Sequence, residues 1–556
     1  MVPALLLALL AVCSLAYFVA FLQPLTAGID QVLPIDPGDA NPGFALMSAV
    51  GMGALSVGLL RGKVVAWWLA VATLAVALLA QTGALAHPLG VVVVGGVLAV
   101  LIADSRRYKV TTGSSWMRRI EGLLIVGVVV IVLETALVIA ATGSWPAPFA
   151  ALSDATSALG DALGISDDAA GSVLSLTSHN LLFALLLVVA RLPLVLAAIG
   201  VLTWVPEPPP DPSSRARARA IAEKYGSGAL LPFQLGEDKR VFSPTDADGV
   251  VVYGLAGRTA VVLGDPIGPA EESAKVLAAF LDRCRSLDRV PIVYQASDRG
   301  RRSLLGAGFR VFRVGEEAVI DLDTFDLSGS RRANLRHTVT RCRKSGMSVH
   351  WFPSGLEQDV SPTLMADLER IDADWRKGAG PQLGFTISRF DRASLYSQPV
   401  AVAVDEHGRA LGFATFRPTG IDGGWVLDLM RRAHDSPPGV VETCVADAAM
   451  ALRAAGSHSL SLGLAPLAGL DAGRTAEDRI LATGARLVGR WYDVRGLAFF
   501  KNKFDPTWIP RYGAIRRRRD FIGFVVALLW VHVGPRSPLH WRRHPATLPS
   551  TASSAR

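Results

Sequence analysis

Ala401–Arg432 reads AVAVDEHGRALGFATFRPTGIDGGWVLDLMRR. Ala401–Val404 is a short apolar run, Glu406–Arg409 a polar turn, and Leu411–Arg417 a second apolar run. Trp425–Met430 follows after a Gly-rich break, so the stretch predicts a hairpin and a third strand. Beyond it, Val440–Ala454 has helical spacing and Ser459–Leu464 is again strand-like. The same grammar occurs upstream. Val250–Leu255 and Thr259–Leu263 predict paired strands with a Gly-containing turn, and Glu271–Leu287 predicts a helix with Val276, Leu277, Phe280, Leu281 and Cys284 on one face. Strand Pro291–Gln295, helix Arg301–Gly306 and strand Phe309–Val314 complete that pass. Leu304–Arg310 (LLGAGFR) and Leu481–Val488 (LATGARLV) occupy corresponding places. We therefore expect two copies of one α/β unit, 225–325 and 326–515, the second carrying the active site. This order of strands and helices suits tandem N-acyltransferase-like (GNAT-like) folds better than a doubly wound nucleotide fold.

Outward from this core, composition changes sharply. The 556 residues carry a net charge of +8, but residues 1–204 sum to −2 and residues 205–556 to +10. With 51% apolar residues, 19% charged residues and a mean hydropathy of +0.36, a disordered or collagen-like chain is excluded. A charge-poor third precedes a basic remainder suited to anionic partners. Six apolar stretches, at 2–24, 44–60, 64–86, 88–103, 120–142 and 179–204, predict an amino-terminal α-helical membrane domain of about six spans over 1–204. The first lacks the basic start and small-residue cleavage site of a secretory signal and reads as a retained helix. Arg61, Lys63, Arg106, Arg107, Lys109, Arg118 and Arg119 fall in the loops after spans two and four. The loops after spans one and five hold acidic residues and no Lys or Arg, so the expected topology puts both termini in the cytoplasm. Glu134 and Arg191, deep in spans five and six, are expected to pair, either along a polar path for a lipid headgroup or simply to fix helix packing.

Val205–Ser214 (VPEPPPDPSS) is a stiff Pro-rich spacer, and Arg215–Lys224 a basic helix suited to a bilayer surface or to solvent; together they make a 205–224 linker. The four cysteines, Cys13, Cys284, Cys342 and Cys444, have no CxxC spacing and read as reduced thiols. No P-loop, HExxH or GxSxG motif occurs. Arg409–Ala414 (RALGFA) has the form of a coenzyme A pyrophosphate loop. It lies inside a strand pattern, where backbone N–H groups are not free to hold phosphate, and reads as coincidence. Neither a cofactor nor a metal is expected.

Four segments of the second unit stand out: LGFTISRF at Leu383–Phe390, LDLMRR at Leu427–Arg432, LGLAPLAGL at Leu462–Leu470 and FFKNKFDPTWIPRY at Phe499–Tyr512. On these the chain resembles, over roughly residues 225–515, the aminoacyl-phosphatidylglycerol synthase family, also called the multiple peptide resistance factor or phosphatidylglycerol lysyltransferase family. The resemblance implies a bacterial plasma-membrane aminoacyltransferase with a cytoplasmic catalytic domain. Its donor would be an aminoacyl-tRNA and its acceptor phosphatidylglycerol or another membrane lipid. Transfer of lysine or alanine would lower the negative charge of the membrane surface and give resistance to cationic antimicrobial peptides. It also implies that Asp428–Arg431 is the family's DLMR segment and Lys503 its carboxy-terminal lysine.

The residues have a chemistry of their own. Asp428 lies at the carboxyl end of an apolar strand, where sites are built on α/β sheets, and a carboxylate there can hold an ammonium. Arg431 can fork two hydrogen bonds to a phosphate. Lys501 and Lys503, two apart, would share one side of a strand and, with Arg389, bind substrate. The same residues would equally make a surface ion pair and solvated lysines. Arg331, Arg332, Arg336, His337, Arg341, Arg343 and Lys344 crowd a helix expected from Ser330, a surface for tRNA phosphates or else a solvated or lipid-facing basic face. Residues 516–556 begin with Arg516–Arg519 and the apolar Phe521–Val533, expected to lie in the membrane interface or to pack on the core, and end in a tail expected to be disordered from Pro545. A homo-oligomer is left open. Other readings keep the fold with diacylglycerol or a peptidoglycan precursor as acceptor or acyl-coenzyme A as donor, or make the soluble part a non-catalytic lipid- or tRNA-binding regulator.

Overall fold

The computed structural model describes residues 51–82, 88–110, 212–356, 361–378, 384–468 and 494–533, except positions 52, 109 and 467. The expected spans at 2–24, 120–142 and 179–204 lie outside the described residues. So do Cys13, Glu134, Arg191, most of the Pro-rich spacer, the Leu481–Val488 repeat and the carboxy-terminal tail. In the amino-terminal part, α1 (Val64–Thr82) and α2 (Pro88–Ala103) are almost wholly apolar, as the third and fourth stretches predict. The Trp67 indole donates to the Leu101 carbonyl at 2.8 Å and ties α1 to α2. Among the described residues, no helix is long and apolar enough to cross a membrane.

Among the described residues, the carboxy-terminal part is built on one sheet of eleven strands. They are β1 (Arg240–Phe242), β2 (Val251–Ala256), β3 (Thr259–Leu263), β4 (Val290–Ala296), β5 (Arg310–Asp321), β6 (Ser348–Phe352), β7 (Val400–Val404), β8 (Ala410–Pro418), β9 (Trp425–Arg432), β10 (Ser459–Pro466) and β11 (Thr507–Ile515). Their order across the sheet is β1-β2-β3-β4-β11-β5-β10-β9-β8-β7-β6. Only β3–β4 and β9–β10 are parallel. Each parallel pair needs a crossover, supplied by the helices that follow β3 and β9.

Helices on the sheet are α3 (Pro212–Tyr225), α4 (Ser273–Ser286), α5 (Asp298–Gly306), α6 (Ala333–Lys344), α7 (Pro362–Gly378), α8 (Val440–Ala454), α9 (Val494–Asn502) and α10 (Asp520–Val533). The strand β7, VAVAV, shows how the sequence builds two layers. Its side chains alternate, Ala401 and Ala403 packing with Cys444 and Val445 of α8, and Val400, Val402 and Val404 with Leu368 and Ile371 of α7. A third apolar cluster joins Val261, Ile292 and Ile515 to Phe521, Phe524 and Ala527 of α10.

Two features depart from the sequence expectations, and between them one agrees. The strand expected at Phe309–Val314 runs on to Asp321, long enough to pair with both β11 and β10. Arg409–Ala414 does lie largely in β8, with Arg409 paired to Asp435 at 2.9 Å. Lys501 and Lys503 are not on a strand: Phe499–Asn502 completes α9, because the apolar LAFF sequence packs as a helix, and the chain turns at Lys503 before β11.

Candidate active site

The parallel strands β9 and β10 pair only at Trp425–Leu460 and Val426–Ser461. Beyond those residues β9 continues to Arg432 and β10 to Pro466 without pairing to each other, and a cavity of about 290 Å³ opens there. Leu427, Asp428 and Met430 line it from β9, and Leu462, Gly463, Leu464 and Pro466 from β10. Glu317 of β5, Lys501 of α9, Thr386 and Ile387 between α7 and β7, and Phe524, Val525, Leu528 and His532 of α10 complete much of the wall.

Each flanking strand carries a bulge at the gap. On β9, Phe416 opposes Leu427 and Ala414 opposes Met430, so Asp428 and Leu429 together face the single residue Thr415. The Leu429 amide, displaced from the ladder, donates to the buried Thr415 hydroxyl at 3.0 Å. On β10, Ser461 opposes Val319 and Leu464 opposes Glu317, so Leu462 and Gly463 face Ala318 alone. Gly463 has φ 77°, which explains a residue without a Cβ at this point. The carbonyls turned out by this second bulge are taken by Lys501, whose Nζ donates to Gly463 O at 2.9 Å and Leu464 O at 2.6 Å.

Asp428 is a fully buried carboxylate. Its Oδ1 accepts from the Ser388 amide at 2.9 Å and its Oδ2 from Arg417 Nε at 2.8 Å. Two donors, one cationic, hold its oxygens in place, while Asp428 still lines the cavity. Lys501 is buried, and burial pushes its ammonium down to about 7, the nearby Glu317 acting the other way. Glu317 is itself held: its Oε1 accepts from Ser461 Oγ at 2.6 Å and its Oε2 from Arg511 Nε at 2.7 Å. Across the cavity the His532 ring lies edge-on to Tyr294 and Phe385, with Nδ1 on Leu528 O at 2.7 Å and Nε2 3.2 Å from Thr386 Oγ1. Burial lowers its pKa to about 4, so the imidazole is neutral near pH 7.

Of the residues singled out in the sequence, the structure brings Asp428 and Lys501 to one cavity. Arg431 does not line it. Its guanidinium stacks on Trp375 at 3.5 Å, with Nε 3.4 Å from Asp372 Oδ1, both on α7. The phosphate fork expected of Arg431 is thus directed at a carboxylate and an aromatic face. Lys503 pairs with Glu442 of α8 at 2.8 Å and lies over Phe499, so it parts from Lys501 rather than sharing a side with it. Arg389 is exposed beside Gly384. The basic helix begins at Ala333 rather than Ser330, and much of its charge is used locally. Arg332 donates to the carbonyls of Thr324 and Asp326, Arg336 to those of Leu327 and Gly329, and Arg343 pairs with Asp447. Arg331 is exposed, 3.9 Å from Asp505.

Sequence reasoning missed Glu317, Arg511, Arg417, Thr386 and His532. Thr386 and Arg511 lie inside two of the segments singled out, whereas Glu317 falls just beyond the strand expected at Phe309–Val314, 194 residues from its partner Arg511.

With this geometry in hand, the relatives are informative. Residues 219–515 match a family model described as phosphatidylglycerol lysyltransferase, C-terminal. The chain is 29% identical over 303 residues to the phosphatidylglycerol lysyltransferase of Bacillus subtilis, covering 54% of this chain and 35% of that protein. It is 29% identical over 354 residues to the lysylphosphatidylglycerol biosynthesis bifunctional protein LysX of Mycobacterium avium, covering 60% of this chain and 29% of that protein. The chain thus spans about a third of the length of these relatives. Among solved structures, L-PGS from Bacillus licheniformis superposes with a TM-score of 0.50 at 28% identity, covering 57% of this chain and 95% of the other. The C-terminal domain of a protein described as a lysylphosphatidylglycerol synthetase from Agrobacterium fabrum gives a TM-score of 0.51 at 27% identity, covering 58% and 98%. The carboxy-terminal part therefore has the GNAT-like α/β fold expected from the strand order, and the chain belongs to the phosphatidylglycerol lysyltransferase C-terminal family.

Proposed function

We propose that this protein transfers an amino acid from aminoacyl-tRNA to the headgroup hydroxyl of phosphatidylglycerol at a bacterial plasma membrane. The observation that carries the reading is the gap between β9 and β10, lined by Asp428 from the bulge of β9 and by Lys501 of α9, which is held on the carbonyls of the β10 bulge. An aminoacyl ester is already activated, so holding the lipid hydroxyl against its carbonyl supplies most of the catalysis. The hydroxyl oxygen bonds to the carbonyl carbon, the ester bond to the tRNA breaks, and the proton ends on the ribose oxygen that leaves. Asp428, fixed by Ser388 and Arg417, is suited to hold the α-ammonium of the amino acid. Lys501, with an ammonium that titrates near neutrality, is suited to the lipid phosphate or to the oxyanion of the tetrahedral intermediate.

The relatives from Bacillus and Mycobacterium are named for lysine, which supports lysine over alanine as the group transferred. Arg331 and the exposed basic residues of α6 support an acceptor-stem contact for the tRNA, with Lys503, Arg389 and Arg431 outside the cavity that holds the reacting groups. The apolar helices α1 and α2, and the charge pattern of the loops around them, support a multi-pass membrane domain with the catalytic part on the cytoplasmic side. Lowered surface charge and resistance to cationic peptides follow from the product.

Lipid analysis of cells expressing the chain tests this. A new aminoacylated phosphatidylglycerol is expected with the intact chain and not with Asp428→Ala, and its mass names the amino acid. No such lipid from the folded, membrane-inserted chain supplied with charged tRNA would sink the proposal.

A further inference from the structure

The helix α10 lies beyond residue 515, where the family match ends. Its inner face is accounted for: Phe521, Phe524 and Ala527 are buried on β2, β3 and β11, and Leu528 and His532 wall the cavity. Its outer face is apolar as well. Ile522 is 70% exposed, Val526 58%, Trp530 53% and Leu529 41%, at spacings that make one stripe along the helix. Just before the helix, Arg517, Arg518 and Arg519 are all exposed.

We propose that α10 seats on the surface of an anionic lipid bilayer, with Ile522, Val526, Leu529 and Trp530 among the acyl chains and Arg517–Arg519 at the phosphates. At 14 residues the helix is about 21 Å long, too short to span a membrane but suited to lie in its interface. Charge decides the occupant. Three consecutive arginines at one end of the stripe attract lipid phosphates, and they would repel the same cluster of a second copy packed parallel against this helix. Continuity with the cavity agrees: Leu529 belongs both to the outer stripe and to the cavity wall, so a lipid leaving the bilayer along α10 meets no polar barrier at that residue.

The test uses the full chain with Cys13→Ser, since Cys284, Cys342 and Cys444 are buried. A nitroxide is attached at Val526→Cys, and separately at Ile522→Cys, in vesicles of phosphatidylglycerol and phosphatidylcholine. Both labels are expected to collide several-fold more with oxygen, relative to a water-soluble nickel chelate, than a label at Glu406→Cys. That excess is expected to fall in phosphatidylcholine alone or with Arg517→Glu, Arg518→Glu and Arg519→Glu combined. Three results would overturn the proposal. They are a label open to the nickel chelate, a label shielded from both relaxants by a second copy or by other helices of this chain, and equal depth in uncharged vesicles. The readout does not depend on aminoacyl transfer: a bilayer-seated label with no aminoacylated lipid would leave this inference standing and remove the catalytic one.

Discussion

The hydroxyl of Thr415 accepts the amide hydrogen of Leu429 at 3.0 Å, closing the bulge that carries Asp428. Thr415 is fully buried, so no water can replace it when it is removed. Thr415→Val is expected to cost about 1–3 kcal/mol of stability by leaving that amide unsatisfied. It should also lower kcat more than it raises KM, because the carboxylate loses its fixed direction rather than its charge. Thr415→Ser should restore both. Denaturant unfolding and steady-state kinetics on the three proteins check this, and an active, stable Thr415→Val would show the bulge to be indifferent to its closure.

Asp428 joins the Ser388 amide and Arg417 from two different segments. Asp428→Asn keeps the volume and removes the charge. Its effect on transfer is expected to reach about a hundredfold or more in kcat/KM, as losing a charge-assisted contact to an ammonium would give. Far-ultraviolet circular dichroism should be unchanged. Loss of activity together with loss of the fold would instead mark Asp428 as a structural tie.

Lys501 should make lipid binding depend on pH near neutrality. Its folded value of about 7 lies below the ordinary 10.5, so the bound proton leaves as pH rises through 7. If the cation holds the lipid phosphate, KM for the lipid rises above pH 7 by up to about tenfold per pH unit. Lys501→Arg, which stays charged, should flatten that dependence. The stability sign is opposite. Between about 7 and 10.5 the unfolded chain holds the proton that the folded one has lost, so stability gains with pH across that window. A KM independent of pH between 6 and 9 would remove Lys501 from phosphate binding.

His532 predicts acid sensitivity of the cavity wall. Its folded pKa of about 4 lies below the ordinary 6.5, so above 6.5 both states are neutral and nothing is lost. As pH falls from 6.5 towards 4 the unfolded state takes up the proton first, and stability drops by on the order of 3 kcal/mol. His532→Phe, which keeps the edge-on packing against Tyr294 and Phe385, should remove this component. Urea midpoints measured between pH 4 and 7 for the two proteins decide it.

How far the sequence carried depends on whether the cause was local. Strands β2 and β3 are written in apolar runs about Gly257, whose φ of 55° makes the turn, and β7 and β8 about Gly408 at φ 78°. The helix Val440–Ala454 is legible end to end, because its small residues repeat at helical spacing. Asp428 was legible as a carboxylate in an apolar strand. The bulge beneath it was not, since a bulge is a mismatch between two strands and no single strand states it. The separation of Lys501 from Lys503 was missed for a related reason: two-residue spacing fixes a shared side only on a strand, and Phe499–Asn502 finishes a helix. Arg431 was read by its proximity in sequence to Asp428, whereas Trp375 and Asp372, more than fifty residues earlier, decide where it points.

The strand β11 pairs with β4 on one side and β5 on the other, although both are complete by Asp321 and β11 begins only at Thr507. During synthesis those two edges must therefore wait for almost two hundred further residues before they can be joined. Arg511, which fixes Glu317 beside Lys501, arrives on the same strand. The nascent chain is thus obliged to keep two open sheet edges apart from other chains until Thr507–Ile515 leaves the ribosome. A chain truncated before Thr507 would have neither a joined sheet nor a finished cavity, because both β11 and Arg511 would be missing.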